Sequence, residues 1–140
     1  MSSKPRFVTN LKLSDWKENE WVLLDSLIYH TSDDFCRTIA VPKGFITDLA
    51  SIPAALRAFI NPNGNSRKAA VLHDWLYCSR LYPRAEADAI FREALIFCGV
   101  STSVAWTMWA GVRVGGWIYY NHRKKQPLGA YDFVEEIPNV

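Results

Sequence analysis

Hydrophobic and polar positions follow one rhythm before residue 66 and another after it. Phe7 to Leu13 (FVTNLKL) alternates roughly at period two, and Trp21 to His30 (WVLLDSLIYH) is dense in β-branched and aromatic residues, so both are expected to be strands. Thr31-Ser32-Asp33-Asp34 reads as a turn, with Phe35 to Val41 pairing back as a hairpin that Pro42-Lys43-Gly44 ends. Phe45 to Pro53 (FITDLASIP) has no clean period and is expected on a loop beneath the helices, where Thr47-Asp48 suits a short capped turn. Ile60 to Ser66 (INPNGNS) is loop, with Asn65 or Ser66 able to cap the next helix.

From about Arg67 the spacing becomes helical. A first helix is expected to Arg80, broken by Leu81-Tyr82-Pro83; Pro83 suits the first position of a second helix, which Gly99 stops in a left-handed conformation. Ser101 or Ser103 caps a third, Val104 to about Tyr120 (VAWTMWAGVRVGGWIYY). That run is apolar enough to raise the question of a membrane span, but it is short and carries Arg113 near its middle, where a charge in lipid is costly. The expectation is instead a central helix buried on most sides, with Trp106, Trp109 and Trp117 in the core and Gly111, Gly115 and Gly116 admitting neighbouring backbone. His122-Arg123-Lys124-Lys125 then closes it with charge favourable to its dipole.

The pattern predicts an α+β protein, a small N-terminal antiparallel sheet packed on a three-helix core. It forms a single domain over 1–140: mostly β over 1–47, a loop region over 48–66, helical over 67–125, and a tail over 126–140 with Tyr131, Phe133 and Val134 as an edge strand or arm.

Composition narrows this modestly. A 140-residue chain that is 49% hydrophobic has ample material for one core, and a net charge of +2 is too mild to suggest a nucleic-acid partner. Cys36, Cys78 and Cys98 are odd in number and lack zinc spacing, so they read as reduced thiols. The N-terminus lacks the apolar stretch of a signal peptide, which points to the cytoplasm or a particle assembled there.

The chemistry concentrates in Ala69 to Tyr77 (AAVLHDWLY). On a helix His73 shares a face with Ala69, Leu76 and Tyr77, and Asp74 takes the adjacent face. A histidine and an aspartate within apolar neighbours are expensive to bury unless used or satisfied. His73 suits a general base toward water, with a carboxylate orienting it, because imidazole titrates near neutral pH. Asp74 and the oxygens of the loop around Asn63 and Gly64 suit a hard cation such as calcium. A hairpin turning near Tyr82 sets Asp88 level with Leu76 or Tyr77, leaving His73 about 4–5 Å further along the helix axis. On that geometry Asp88 serves Tyr77 or Arg84, and Asp48 becomes the partner of His73. Arg84 and Asp88, four apart, read most simply as a surface or half-buried ion pair.

FITDLASIP, AAVLHDWLY, RAEADAIFREAL and the following Gly-Val together resemble domain-of-unknown-function family 1353, encoded by tailed phages and prophages. The resemblance implies a phage origin and no settled activity. A second resemblance is to phospholipase A2 domains of the disulfide-free viral kind, carried by the Asn-Pro-Asn-Gly-Asn loop, His73-Asp74-Trp75-Leu76-Tyr77 and Ala87-Asp88-Ala89-Ile90-Phe91. It implies His73 as base, Asp74 as calcium ligand, Tyr77 as hydrogen-bonding support, Asp88 as the carboxylate behind the histidine, and phospholipid as substrate.

Two roles stay open: a phospholipase-like or metal-assisted hydrolase, and a non-catalytic virion component of tail or neck, bound to other virion proteins, whose His-Asp network is structural. Catalysis predicts that His73 reaches an open cleft with a carboxylate in hydrogen-bond range and a cation position beside Asp74. A structural role predicts a solvent-inaccessible His73 with both nitrogens satisfied by fixed protein groups.

Overall fold

The computed structural model describes residues 4–18, 20–32, 37–47, 52, 56, 58 and 66–124, with the side chains of 119 and 122–124 left aside. It is an α+β protein: two three-stranded antiparallel sheets precede three helices. The chain divides into a strand-built unit within residues 1–48 and a helical unit within 49–126.

In the strand unit, β1 (Arg6–Phe7), β4 (Leu27–His30) and β5 (Thr38–Val41) form one sheet, with β4 at its centre. The β4–β5 hairpin is in the expected place, Leu27 opposite Val41 and His30 opposite Thr38. Beyond the ladder the Thr31 hydroxyl accepts from the Arg37 N–H at 2.8 Å, while the Thr31 N–H donates to the Arg37 carbonyl at 2.9 Å. Alternation places Leu27, Tyr29, Ile39 and Val41 inside, and the Phe7 ring stacks on Tyr29 at 4.7 Å.

The second sheet corrects the expected single one. β2 (Leu13–Asp15), β3 (Trp21–Leu23) and β6 (Ile46–Thr47) pair in the order β2-β3-β6. Trp21 to His30 is therefore two strands, bent at Leu24-Asp25-Ser26, each serving a different sheet. Phe7 to Leu13 is likewise not one strand: it leaves the first sheet after Phe7, where the Thr9 hydroxyl donates to the Ser26 carbonyl and accepts from the Ile28 N–H. Ile46–Thr47, expected in a loop, lies opposite Val22 and Trp21. Two residues are too few to show a period, and their strand exists only through that long-range pairing.

In the helical unit α1 spans Ser66–Ser79, α2 Arg84–Phe97 and α3 Thr102–Lys124. Ser66 lies within α1, and Pro83 is the N-cap of α2 rather than its first helical residue, at φ −56° and ψ 150°. Gly99 does stop α2 as expected. At φ 92° its N–H reaches the Ile96 carbonyl and the Val100 N–H reaches that of Leu95, the paired bonds of a Schellman motif. Ser101 caps α3, its hydroxyl accepting from the Val104 N–H at 3.4 Å.

The third helix departs most from expectation. Among its described residues the buried hydrophobic ones are Ala105, Met108 and Val112, whereas Trp106, Val114, Trp117 and Ile118 are exposed and Trp109 is half-buried. An apolar composition gives no direction, and the buried side of α3 is narrower than its sequence suggested. No described helix is long and apolar enough to cross a membrane. Cys78 is buried and Cys98 half-buried, both as free thiols, while Cys36 and the tail over 126–140 lie outside the described residues.

Candidate functional site

Three helices converge on one carboxylate. Asp88, on the second turn of α2 and fully buried, receives donors on both oxygens. His73 Nε2 lies 2.7 Å from Oδ1, and the Tyr77 hydroxyl donates to the same oxygen at 2.5 Å. On Oδ2, Arg113 from α3 donates at 2.9 Å and Arg84 sits at 3.5 Å. Arg84 also donates to the α3 carbonyls of Val112 and Arg113 at 3.1 and 3.2 Å, a second bond that those oxygens can accept beside their helical ones. The network therefore ties α1, α2 and α3 at one point.

Asp88 meets Tyr77 and Arg84 as the hairpin geometry expects, but it also reaches His73, whose partner that geometry made Asp48. With α1 ending at Ser79 and α2 starting at Arg84, the connection is centred between Leu81 and Tyr82. Asp88 is then level with Trp75, two residues from His73, an axial offset of about 3 Å that an imidazole can span. The left-handed Arg80, at φ 53°, makes the early turn, and its guanidinium is held by the Tyr120 carbonyl and lies over the Tyr120 ring at 3.7 Å.

Charge states follow from the donor pattern. Burial alone would raise the Asp88 pKa, but the hydrogen bonds from His73, Tyr77 and Arg113 outweigh it and hold the carboxyl below its ordinary range. An ionised carboxylate only accepts, so the proton of the His73–Asp88 bond sits on Nε2. Burial lowers the His73 pKa in spite of the raising effect of Asp88, which makes the ring neutral at pH 7. A neutral ring with its proton on Nε2 keeps the lone pair on Nδ1. Burial and the Asp88 charge push the Tyr77 hydroxyl up, so it stays a donor.

The ring itself is walled by aromatics. Tyr77 lies 4.2 Å and Phe91 4.6 Å away between centroids. Tyr77 also passes close to α3 at Gly116, where a Cβ would stand 2.8 Å from the hydroxyl oxygen. Gly111 plays a similar part against Leu56.

Of the residues that the sequence singles out, His73, Tyr77 and Asp88 are brought together, and Asp74 follows His73 with its side chain fully buried. Asp48, Asn63 and Gly64 lie outside the described residues. Among the described residues, no group of three or more His, Cys, Asp or Glu side chains is placed to hold a metal ion. The carboxylate in range of His73 matches the catalytic expectation; the complete burial of His73 matches the structural one. Arg84 and Asp88 form an ion pair of the half-buried kind, with Arg84 partly exposed and Asp88 fully buried. Arg113, which the sequence left apart from the others, is a principal clamp on Asp88; its signal was a lone cation inside an apolar helical run.

A family profile described as "Protein of unknown function (DUF1353)" matches residues 21–112, well over half of the chain. No curated protein and no solved structure matches the chain, and the comparisons lend no support to the phospholipase A2 resemblance.

Proposed function

The chain belongs to the DUF1353 family of proteins of unknown function, and we propose that it is a phage-encoded hydrolase of esters in which His73 is the general base. The observation that carries this is the single Asp88 oxygen that takes both the His73 Nε2–H at 2.7 Å and the Tyr77 hydroxyl. Such a carboxylate fixes the tautomer with the lone pair on Nδ1, and would stabilise the imidazolium formed once the buried ring opens to an attacking water and Nδ1 takes its proton. Phospholipid esters are the substrate class that the resemblance of His73-Asp74-x-x-Tyr77 and Ala87-Asp88-x-x-Phe91 to phospholipase A2 domains implies. A hard cation such as calcium would polarise the carbonyl, with Asp74, Asn63 and Gly64 as its candidate ligands; no step here depends on it. The protein would act in the host cytoplasm or from the virion.

A second role is favoured by a specific observation: His73, Asp74 and Asp88 have no solvent exposure. In it the network is a structural tie within a non-catalytic virion component of tail or neck, held by other virion proteins. The two separate in one assay. Phospholipids and simple esters are offered to the wild type, His73→Gln and Asp74→Asn with and without calcium. A hydrolase gives turnover in the wild type that His73→Gln abolishes while remaining folded by circular dichroism. Equal rates across the three proteins overturn the catalytic role and leave the structural one.

A further inference from the structure

The outward face of α3 is apolar and has no role in the buried network. Trp106, Ala110, Val114, Trp117 and Ile118 fall within one third of the helix circumference, spaced at i, i+4, i+8, i+11 and i+12. Their exposure is high for residues of this kind: 75% for Val114, 62% for Ile118, 51% for Trp117 and 47% for Trp106. The stripe runs about 18 Å along the axis at 1.5 Å per residue. Scattered single apolar residues on a surface need no explanation, but a continuous helical stripe marks a site of association.

Charge selects the occupant. The 23 residues of α3 contain no Asp or Glu, while Arg113, Arg123 and Lys124 are all in its sequence. Arg113 is committed to Asp88, and Arg123 and Lys124 follow the apolar stripe in the sequence. At the other end Arg92 stacks over Trp106 at 3.9 Å, another cation beside an exposed indole. Indoles at both ends of an apolar stripe, flanked by cations and free of acids, suit the boundary between headgroups and acyl chains of an anionic lipid surface. The polar member Thr107 is compatible with that setting, because its hydroxyl donates to the Ser103 carbonyl at 2.9 Å. A second copy of the chain fits less well, because two such faces would oppose like charges.

We propose that the α3 face from Trp106 to Ile118 is a membrane-surface docking site for anionic phospholipid, lying on the bilayer rather than crossing it. Docking is independent of His73 chemistry and holds whether or not the dyad turns over a substrate.

The test uses the full chain with vesicles of phosphatidylcholine alone, and of phosphatidylcholine with an equal part of phosphatidylglycerol. The expected result is co-sedimentation and a blue shift of tryptophan emission with the anionic vesicles, weakened by salt and absent with phosphatidylcholine. The double variant Val114→Ser/Ile118→Ser, at exposed positions, is expected to melt like the wild type and to bind about tenfold more weakly or less. His73→Gln is expected to bind like the wild type, which separates docking from hydrolysis. Absence of binding to anionic vesicles at low salt overturns the assignment, as does binding that the double variant retains in full. A concentration-dependent dimer in plain buffer that the double variant abolishes would assign the face to a second copy instead.

Discussion

In the strand unit the charged pair Lys12 and Asp25, 3.1 Å apart, lies more than half exposed, and the buried residues are uncharged: Val22, Leu23, Leu27, Tyr29, Ile39, Val41 and Phe45 with Thr31 and Thr47. In the helical unit the interior itself contains Asp74, Asp88, His73 and the Tyr77 hydroxyl, with two arginines meeting Asp88 from the rim. The strands are held by backbone ladders and apolar side chains, so no single polar group there decides the fold. The helices are joined through one carboxylate whose every partner depends on its charge. Damage to the first unit is graded; damage to the second is concentrated at Asp88.

That contrast is broken most sharply at Asp88 itself. Asp88→Ala strands Arg113, Arg84 and the His73 N–H together and is expected to destabilise by about 3–5 kcal/mol, read by chemical denaturation. Next comes Gly116→Ala. The added Cβ meets the Tyr77 hydroxyl oxygen at 2.8 Å and its Cε2 at 3.3 Å, so overpacking of about 1–3 kcal/mol is expected to outweigh the gain in helix propensity. Tyr77→Phe removes one hydrogen bond to Asp88 and is expected to lose about 1 kcal/mol. The Gly116→Ala/Tyr77→Phe double variant is expected to recover part of the glycine loss, because the hydroxyl that clashes is gone.

Acid gives a signed prediction. The His73 pKa is lowered on folding from an ordinary 6.5, so the unfolded chain binds the extra proton first as pH falls. Stability is therefore fully present above 6.5 and declines below it, and His73→Gln is expected to flatten that part of the Tm profile. The Asp88 pKa is also lowered, from 3.8, so its share is lost only at still lower pH. At the small end, Lys12→Ala in the strand unit is expected to change stability by no more than about 0.5 kcal/mol, since the pair is exposed and screened.

How far the sequence revealed this depends on how local each feature is. The i, i+4 spacing of His73 and Tyr77 put both on one face, and Gly99 and Ser101 marked a helix stop and a helix cap where the structure has them. Each of those signals acts over a few residues. Strand β6 did not show, because Ile46–Thr47 is a strand only opposite Trp21 and Val22. The Arg113–Asp88 bond joins residues far apart in sequence and depends on how α3 rotates. The same rotation decided that Trp106 and Trp117 face outward, which no count of apolar residues could foresee. Asp88 reaches His73 because the imidazole spans the remaining offset of about 3 Å, which counting residues from the turn does not include.

The central claim is that burial keeps the His73 ring neutral while Asp88 fixes its proton on Nε2. Two-dimensional nitrogen–proton NMR of the imidazole, followed from neutral pH downward, reads both the tautomer and the titration. The account predicts a proton on Nε2, a lone pair on Nδ1, and no protonation as pH passes through 6.5. A ring protonated on Nδ1 instead, or one that titrates at its ordinary value, would contradict it.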